Sequence, residues 1–324
     1  MIGLTALWAI VAIVGVPLVL IGYLFLVERG LLTVKIERRN RIRPWLWLLP
    51  PFLLLAAFLI YPVINTIVLS LMNANSTKFV WFKNYAYIFT ENSMLIVLRN
   101  NLLWLVFFTL IAVTLGLLIA VLTDRVRYES AAKALIFLPM AVSFVAAGVI
   151  WRFMYQFQPK GQPQVGTVNA ILSIFPNFQP QAWLTNTSEN NWALIIVGIW
   201  MWTGFAMVIL SAGLKGIPES LLEAARMDGA NEFQIFFKVT IPLLWSTITV
   251  VTTTLLINAL KTFDIVYVMT NGNLGTDIIA NRMYKEMFNF QNFGRASALA
   301  VILLVAIVPV MVLNIKRFGQ QGGK

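Results

Sequence analysis

Seven stretches of this chain contain no Asp, Glu, Lys or Arg and are apolar enough to cross a membrane: Met1–Val27, Pro44–Thr77, Asn100–Thr123, Ala134–Trp151, Asn190–Leu214, Val239–Leu260 and Ala296–Ile315. About 20 helical residues cross a hydrocarbon core of about 30 Å, so each stretch is a candidate transmembrane helix. The fourth is the shortest and the second has length to spare. Pro62 in the second and Pro139 in the fourth predict kinks, tolerated where neighbours satisfy the freed carbonyls. Composition agrees. The 324 residues are 59% hydrophobic and 11% charged, with mean hydropathy +0.80. A soluble domain of this size would have to expose apolar surface and aggregate. The expected fold class is an all-α polytopic membrane protein.

With no Cys and no His, a thiol nucleophile, a disulfide framework, a histidine metal site and the usual general base are excluded. The formal charge of +11 does not point to nucleic acid, because the basic residues lie between the apolar stretches and not along one stripe. Their distribution is a topology signal. Alternate loops carry 15 and 9 Lys plus Arg, the larger share falling in Glu28–Arg43, Asp124–Lys133, Lys215–Lys238 and the C-terminal tail. The positive-inside rule puts that set in the cytoplasm, the N-terminus outside and the C-terminus inside. The first stretch has no basic leader and is too long for a signal-peptide core, so a retained anchor helix is expected. The loop Gln156–Asn190, rich in Gln, Asn and Pro, falls outside. Its length suggests a functional or disordered segment.

One polar segment interrupts the apolar pattern on the cytoplasmic side. Pro218 suits the first turn of a helix, and Glu219 and Glu223 lie towards the positive end of its dipole. Gly229 can take the left-handed conformation that ends it. Asn231 then caps a second helix, with Gln234 in the capping-box position. Phe233, Phe236, Phe237 and Thr240 follow a helical stripe expected to hold that helix against the bundle, and Pro242 begins the next span. Physically this is a helix, a sharp turn and a helix beneath the bilayer, a form shared by ordinary amphipathic connectors.

The residue pattern there resembles the permease subunits of bacterial ABC importers. Their signature is Glu-Ala-Ala, a Gly four residues on, and a downstream Ile-x-Leu-Pro. This chain has Glu223-Ala224-Ala225, Gly229 and Val239-Thr240-Ile241-Pro242. The fuller run Glu223–Ala230, with Asp228, Gly229 and Ala230, resembles the carbohydrate-uptake branch. So do Phe82-Lys83-Asn84-Tyr85, Arg99-Asn100-Asn101, Leu138-Pro139 with Trp151, Gly166–Asn169, Ala212–Pro218 and Phe263–Tyr267. The resemblance covers roughly residues 45–318. It departs at Thr270-Asn271-Gly272-Asn273-Leu274, where the family often has Thr-x-Gly-Gly-Pro. The extra N-terminal helix and long external loop look most like alpha-glucoside permeases and relatives that import glucosylated compatible solutes.

The resemblance implies a six-helix permease core plus one extra N-terminal transmembrane helix. It divides the chain into an anchor helix and basic linker (1–44), a transmembrane domain (45–318) with coupling helices at about 216–241 and an external loop at about 153–191, and a tail (319–324). It implies a bacterial inner-membrane location and a non-catalytic subunit, without cofactors of its own. The expected partners are two cytoplasmic ATPase subunits that carry ATP and Mg, a second homologous permease and an external solute-binding protein. Glu223, Ala224, Ala225, Asp228, Gly229 and Ala230 would dock into the ATPase. The sequence has no phosphate-binding Gly-x-x-x-x-Gly-Lys loop, in keeping with ATP chemistry on another chain. A path for a sugar needs hydroxyl-bonding and aromatic groups in mid-membrane. Thr254, Asn258 and Lys261 share a helical face, and Trp200 and Trp202 lie on the preceding span. These five are the candidate solute path. The rival readings are a permease for glycerol phosphate or another polar solute, an ion-coupled secondary transporter, which would show intramembrane carboxylates and an internal repeat, and a membrane enzyme.

Overall fold

The computed structural model describes residues 2–124, 126–159 and 161–321. Nearly everything in it is helix. Among the described residues the one β feature is an isolated bridge between Met72 and Phe79. The chain divides into two compact units, Met1–Val68 and Leu69–Lys324.

The first unit contains α1 (Ile2–Leu31) and most of α2 (Ile36–Ser70). The two run as a hairpin, closed where the Tyr23 hydroxyl donates to the Leu46 carbonyl at 2.7 Å. The basic block expected as a linker up to residue 44 is largely the first turns of α2, so only residues 32–35 connect the helices. Two residues before Pro62, α2 widens into a π turn, Ala56–Ile60. Proline lacks a donor and its ring strikes the carbonyl four residues back, and the wider turn accommodates both. The same offset recurs further on, where a π turn at Phe236–Thr240 precedes Pro242.

The second unit continues with α3 (Lys83–Thr90), α4 (Asn92–Thr123), α5 (Glu129–Phe137), α6 (Phe144–Met154), α7 (Thr167–Leu172), α8 (Asn190–Lys215), α9 (Glu219–Met227), α10 (Glu232–Lys261), α11 (Asp264–Met269), α12 (Ile279–Tyr284) and α13 (Phe293–Gln321). The central member is α8, with 15 of its 26 residues buried. Small residues bring its neighbours close. Ala112, Gly116 and Ala120 form a fully buried stripe on α4. A Cβ at Gly116 would stand 2.5 Å from the Ala206 Cβ of α8. Such small-residue seams are how helices gain contact where lipid offers no hydrophobic drive. At Gly204 the end of α5 crosses α8, with the Ile136 carbonyl oxygen 2.5 Å from where a Cβ would sit.

The fourth expected span is not one helix. After α5 the chain makes a 3-10 turn, Leu138–Ala141, with Pro139 in its first turn. Ser143 then caps α6, accepting from the Ala146 N–H at 3.1 Å. The two halves meet at 99°. Pro139 ends the first half, and the Ser143 cap starts a new helix where a kink in a continuous one was expected. Counted together the halves give a seventh span beside six long apolar helices.

Within the loop between α6 and α8, one buried side chain gathers the chain around it. Asn169 on α7 is fully buried. Its Oδ1 accepts from the Gln181 N–H and the Trp183 indole, at 3.1 and 3.0 Å, and its Nδ2 donates to the Gln181 carbonyl at 3.0 Å. Helix α13 continues to Gln321, so the expected tail starts within it, and residues 322–324 lie outside the described residues.

Candidate functional site

The polar elbow lies between α8 and α10. Helix α9 buries no residue completely; Leu222 and Ala225 are half-buried, while Glu223, Ala224, Met227 and Asp228 face outward. Pro218 stands just before the helix as its N-cap and not inside the first turn. The C-terminal end closes as a Schellman motif. The Gly229 N–H donates to the Arg226 carbonyl at 3.0 Å and the Ala230 N–H to the Ala225 carbonyl at 3.1 Å. This requires a left-handed residue, and Gly229 has φ +82°. Asn231 and Gln234 then form the reciprocal capping box, at 2.8 and 3.0 Å.

Two features of the elbow differ from expectation. The second helix does not stop before Pro242. It runs as α10 from Glu232 to Lys261, through the π turn, into the membrane span. The phenylalanine stripe does not hold it to the bundle, because Phe233 and Phe237 are 73% and 52% exposed and pack on each other at 4.7 Å. Of the stripe only Thr240 is buried and Phe236 half-buried; Ile235, outside the stripe, is buried as well. A further restraint was not foreseen. The Arg226 guanidinium bonds Glu232 at 2.8 Å across the turn. That carboxylate raises the Arg226 pKa above its ordinary value. Beneath the elbow an open cleft of 840 Å³ is lined by Lys215, Leu222, Arg226, Glu232 and Phe236, among others. The inner face of α9 thus borders the cleft, while Glu223, Ala224 and Asp228 remain outside it.

At the base of α8, Lys133 bonds both Glu129 and Ser211, and Lys215 pairs with Glu129 at 2.6 Å. This cluster ties the start of α5 to the end of α8, one turn before the elbow.

The candidate solute path is only partly assembled. Trp202, Asn258 and Lys261 line one cavity of 60 Å³, together with Asp264. Trp200 and Thr254 are not in it. Trp200 packs edge-on against Trp151 at 5.5 Å, and the Thr254 hydroxyl donates to the Val250 carbonyl of its own helix at 2.9 Å. Three aromatic residues of the wall that lie in apolar runs were missed, Trp104, Phe108 and Phe144, as was Phe263 beside Asp264. Phe144 stacks on Trp202 at 6.2 Å. Trp104 is 1% exposed, and its indole N–H has no hydrogen-bond partner among the described residues. No polar spacing in the sequence marks these three, since they sit inside apolar runs. The cavity has about two water volumes. It is therefore a wall with amide, ammonium, carboxylate and aromatic groups, too small in this conformation for a sugar ring.

The long apolar helices, the broken span and the exposed elbow define a polytopic membrane bundle. The chain belongs to the binding-protein-dependent transport system inner membrane component family, whose model matches residues 112–315. It is 56% identical over 276 residues to the osmoprotective compounds uptake permease protein GgtC of Synechocystis sp., covering 85% of this chain and 99% of that one. It is 46% identical over 285 residues to the alpha-glucoside transport system permease protein AglF of Rhizobium meliloti, covering 88% and 84%. The fold is similar to that of a chain in the crystal structure of a bacterial ABC transporter that imports alginate, with TM-score 0.70, 23% identity and coverage of 87% and 99%.

Proposed function

We propose that this chain is the permease subunit of an ATP-driven importer for an uncharged glucosylated osmoprotectant or alpha-glucoside. The reading rests chiefly on the 56% identity, over almost the whole length of that relative, to a permease for osmoprotective compounds. The cavity chemistry supports it. Indoles and an amide suit the faces and hydroxyls of a sugar. Lys261 and Asp264 supply one charge of each sign, which favours a polar solute without net charge over glycerol phosphate. The cavity must open during the transport cycle to admit a sugar.

Force reaches the bundle through the elbow in this proposal. Two ATPase subunits, which carry ATP and Mg, close on the outward face of α9. Glu223 supplies a charge-assisted contact, Ala224, Ala225 and Ala230 allow close approach, and Asp228 and Gly229 form the turn. A second homologous permease completes the pathway, and a binding protein delivers solute on the far side. The elbow and the C-terminus are cytoplasmic and the N-terminus external, in the bacterial inner membrane.

The test is uptake by the complete complex in proteoliposomes with its purified binding protein. Competition by glucosylglycerol, trehalose, sucrose and maltose should inhibit, and glycerol phosphate should not. Glu223→Ala should abolish uptake and binding-protein-stimulated ATP hydrolysis together. Uptake that persists without ATP and collapses with an ion gradient would overturn the proposal.

A further inference from the structure

Helix α2 sorts its basic residues onto two sides. Arg39, Arg43 and Trp47 recur at i, i+4 and i+8 and converge on Glu28 of α1. Arg43 Nε and Trp47 Nε1 each donate to Oε1 at 2.8 Å, and Arg39 lies 3.6 Å from Oε2. This is the clamp that closes the hairpin. Arg38, Arg41 and Trp45 recur at i, i+3 and i+7 on the other side, about 170° away at 3.6 residues per turn. Arg38 and Arg41 are exposed and have no acidic partner among the described residues. Glu37, one turn before Arg41, is exposed too and makes no ion pair with it. The segment Glu28–Arg43 holds six cations and two carboxylates, a surplus of four that the clamp does not remove.

The outer side also changes character along its length. After Arg38 and Arg41 come Trp45, 69% exposed, then Leu48, Leu49 and Phe52, 49%, 39% and 49% exposed. The order is cation, indole, aliphatic. It matches the order of a phospholipid from phosphate through the glycerol region to the acyl chain. A protein partner has no reason to reproduce that gradient, and an aqueous anion would need no apolar continuation.

We propose that this side of α2 is a binding site for one anionic phospholipid. Arg38 and Arg41 hold the headgroup phosphate, Trp45 lies at the glycerol level, and Leu48, Leu49 and Phe52 flank the acyl chains. The clamp on Glu28 has a function in this scheme. By engaging Arg39 and Arg43 it fixes the rotation of α2, and so turns Arg38 and Arg41 outward to the lipid.

The experiment uses the whole transporter complex, delipidated and offered equal amounts of phosphatidylglycerol and phosphatidylcholine, with retained lipid counted by native mass spectrometry. The unaltered complex should retain phosphatidylglycerol in preference. Arg38→Gln with Arg41→Gln should lower that preference by about fivefold for each cation removed. Arg38→Lys with Arg41→Lys should keep most of it, which separates lost charge from lost folding. Trp45→Ala should lower retention of both lipids without altering their ratio. Equal retention of the two lipids by the unaltered complex would overturn the site, as would a preference that survives the double Gln change. Loss of an ATPase subunit from the double Gln complex, with the lipid ratio unchanged, would also overturn it by assigning the face to protein.

Discussion

Gly229 is the position where one atom should separate the conformation of the elbow from its chemistry. Its φ is +82°, and a Cβ added there would meet nothing within 4 Å. Any effect of Gly229→Ala is therefore conformational. Holding an L-residue in the left-handed region costs roughly 1–2 kcal/mol. At 1.36 kcal/mol per factor of ten, this lowers the population of the closed turn by about 5- to 30-fold. The two Schellman bonds to the Arg226 and Ala225 carbonyls depend on that turn, whereas the Asn231–Gln234 box and the Arg226–Glu232 pair lie partly or wholly beyond it. The elbow should loosen while the bundle remains intact. The measurement is solute uptake per ATP hydrolysed in the reconstituted complex, with the melting temperature as control. Gly229→Ala should lower coupled uptake severalfold at an unchanged melting temperature. Gly229→Asn should be milder, since Asn tolerates this region, and Gly229→Val worse. Wild-type coupling in the Ala variant, or an Asn variant no better than Val, would refute the reasoning.

Three other outcomes are expected. Asn100→Ala removes the side chain that donates to the Gly275 and Asp277 carbonyls at 2.7 and 2.9 Å; the Asp277 carbonyl, left buried without that partner, costs about 1–3 kcal/mol, and thermal unfolding in detergent should show it. Gly116→Leu should abolish accumulation of folded protein on a size-exclusion profile, because its Cβ alone meets Ala206 and the Met207 backbone N at 2.5 and 2.9 Å; a normal profile would show that α4 can shift from α8. Trp202→Ala and Asn258→Ala should lower uptake at saturating binding protein with normal assembly, whereas Thr254→Val should leave uptake near normal, because the Thr254 hydroxyl is bonded to its own helix.

The spans were legible because they follow from one rule, that charge does not enter lipid unaided. The elbow was legible because caps and left-handed glycines act within a few residues. What could not be read depends on which of two local signals prevails and on contacts distant in sequence. Whether Pro139 bends or breaks a helix was decided by Ser143, which offered a new cap. The phenylalanine stripe had helical period, but period does not say which face meets the bundle, and Phe233 and Phe237 face away from it. Trp104 and Phe144 reach the cavity from helices remote from α8 and α10. Among the stretches carrying the family resemblance, Asn84, Asn100, Asn101 and Asn169 prove to be buried. Asn84 donates to the Ser70 and Met72 carbonyls, and Asn101 accepts from the Ile279 N–H. In this fold they close loops onto helices.

That result supplies a criterion for function in a chain of this kind. A polar side chain in an apolar bundle must have its hydrogen bonds met, and the fold meets most of them locally. Thr254 has no hydroxyl proton to offer, since it bonds Val250. Asn258 gives its amide N–H to the Thr254 carbonyl at 2.8 Å, which leaves its oxygen available. Trp104 retains an unmet indole donor, and Lys261 and Asp264 face the same cavity without an ion pair among the described residues. Ranked by unmet capacity, the groups of this cavity with hydrogen-bonding to spare are Trp104, Lys261, Asp264 and the Asn258 carbonyl, beside the Trp202 ring. On the elbow the same accounting leaves the outward face of α9. Arg226 is paired with Glu232 and spans the turn, so it shapes the elbow. Glu223, one turn earlier and exposed, makes no ion pair among the described residues.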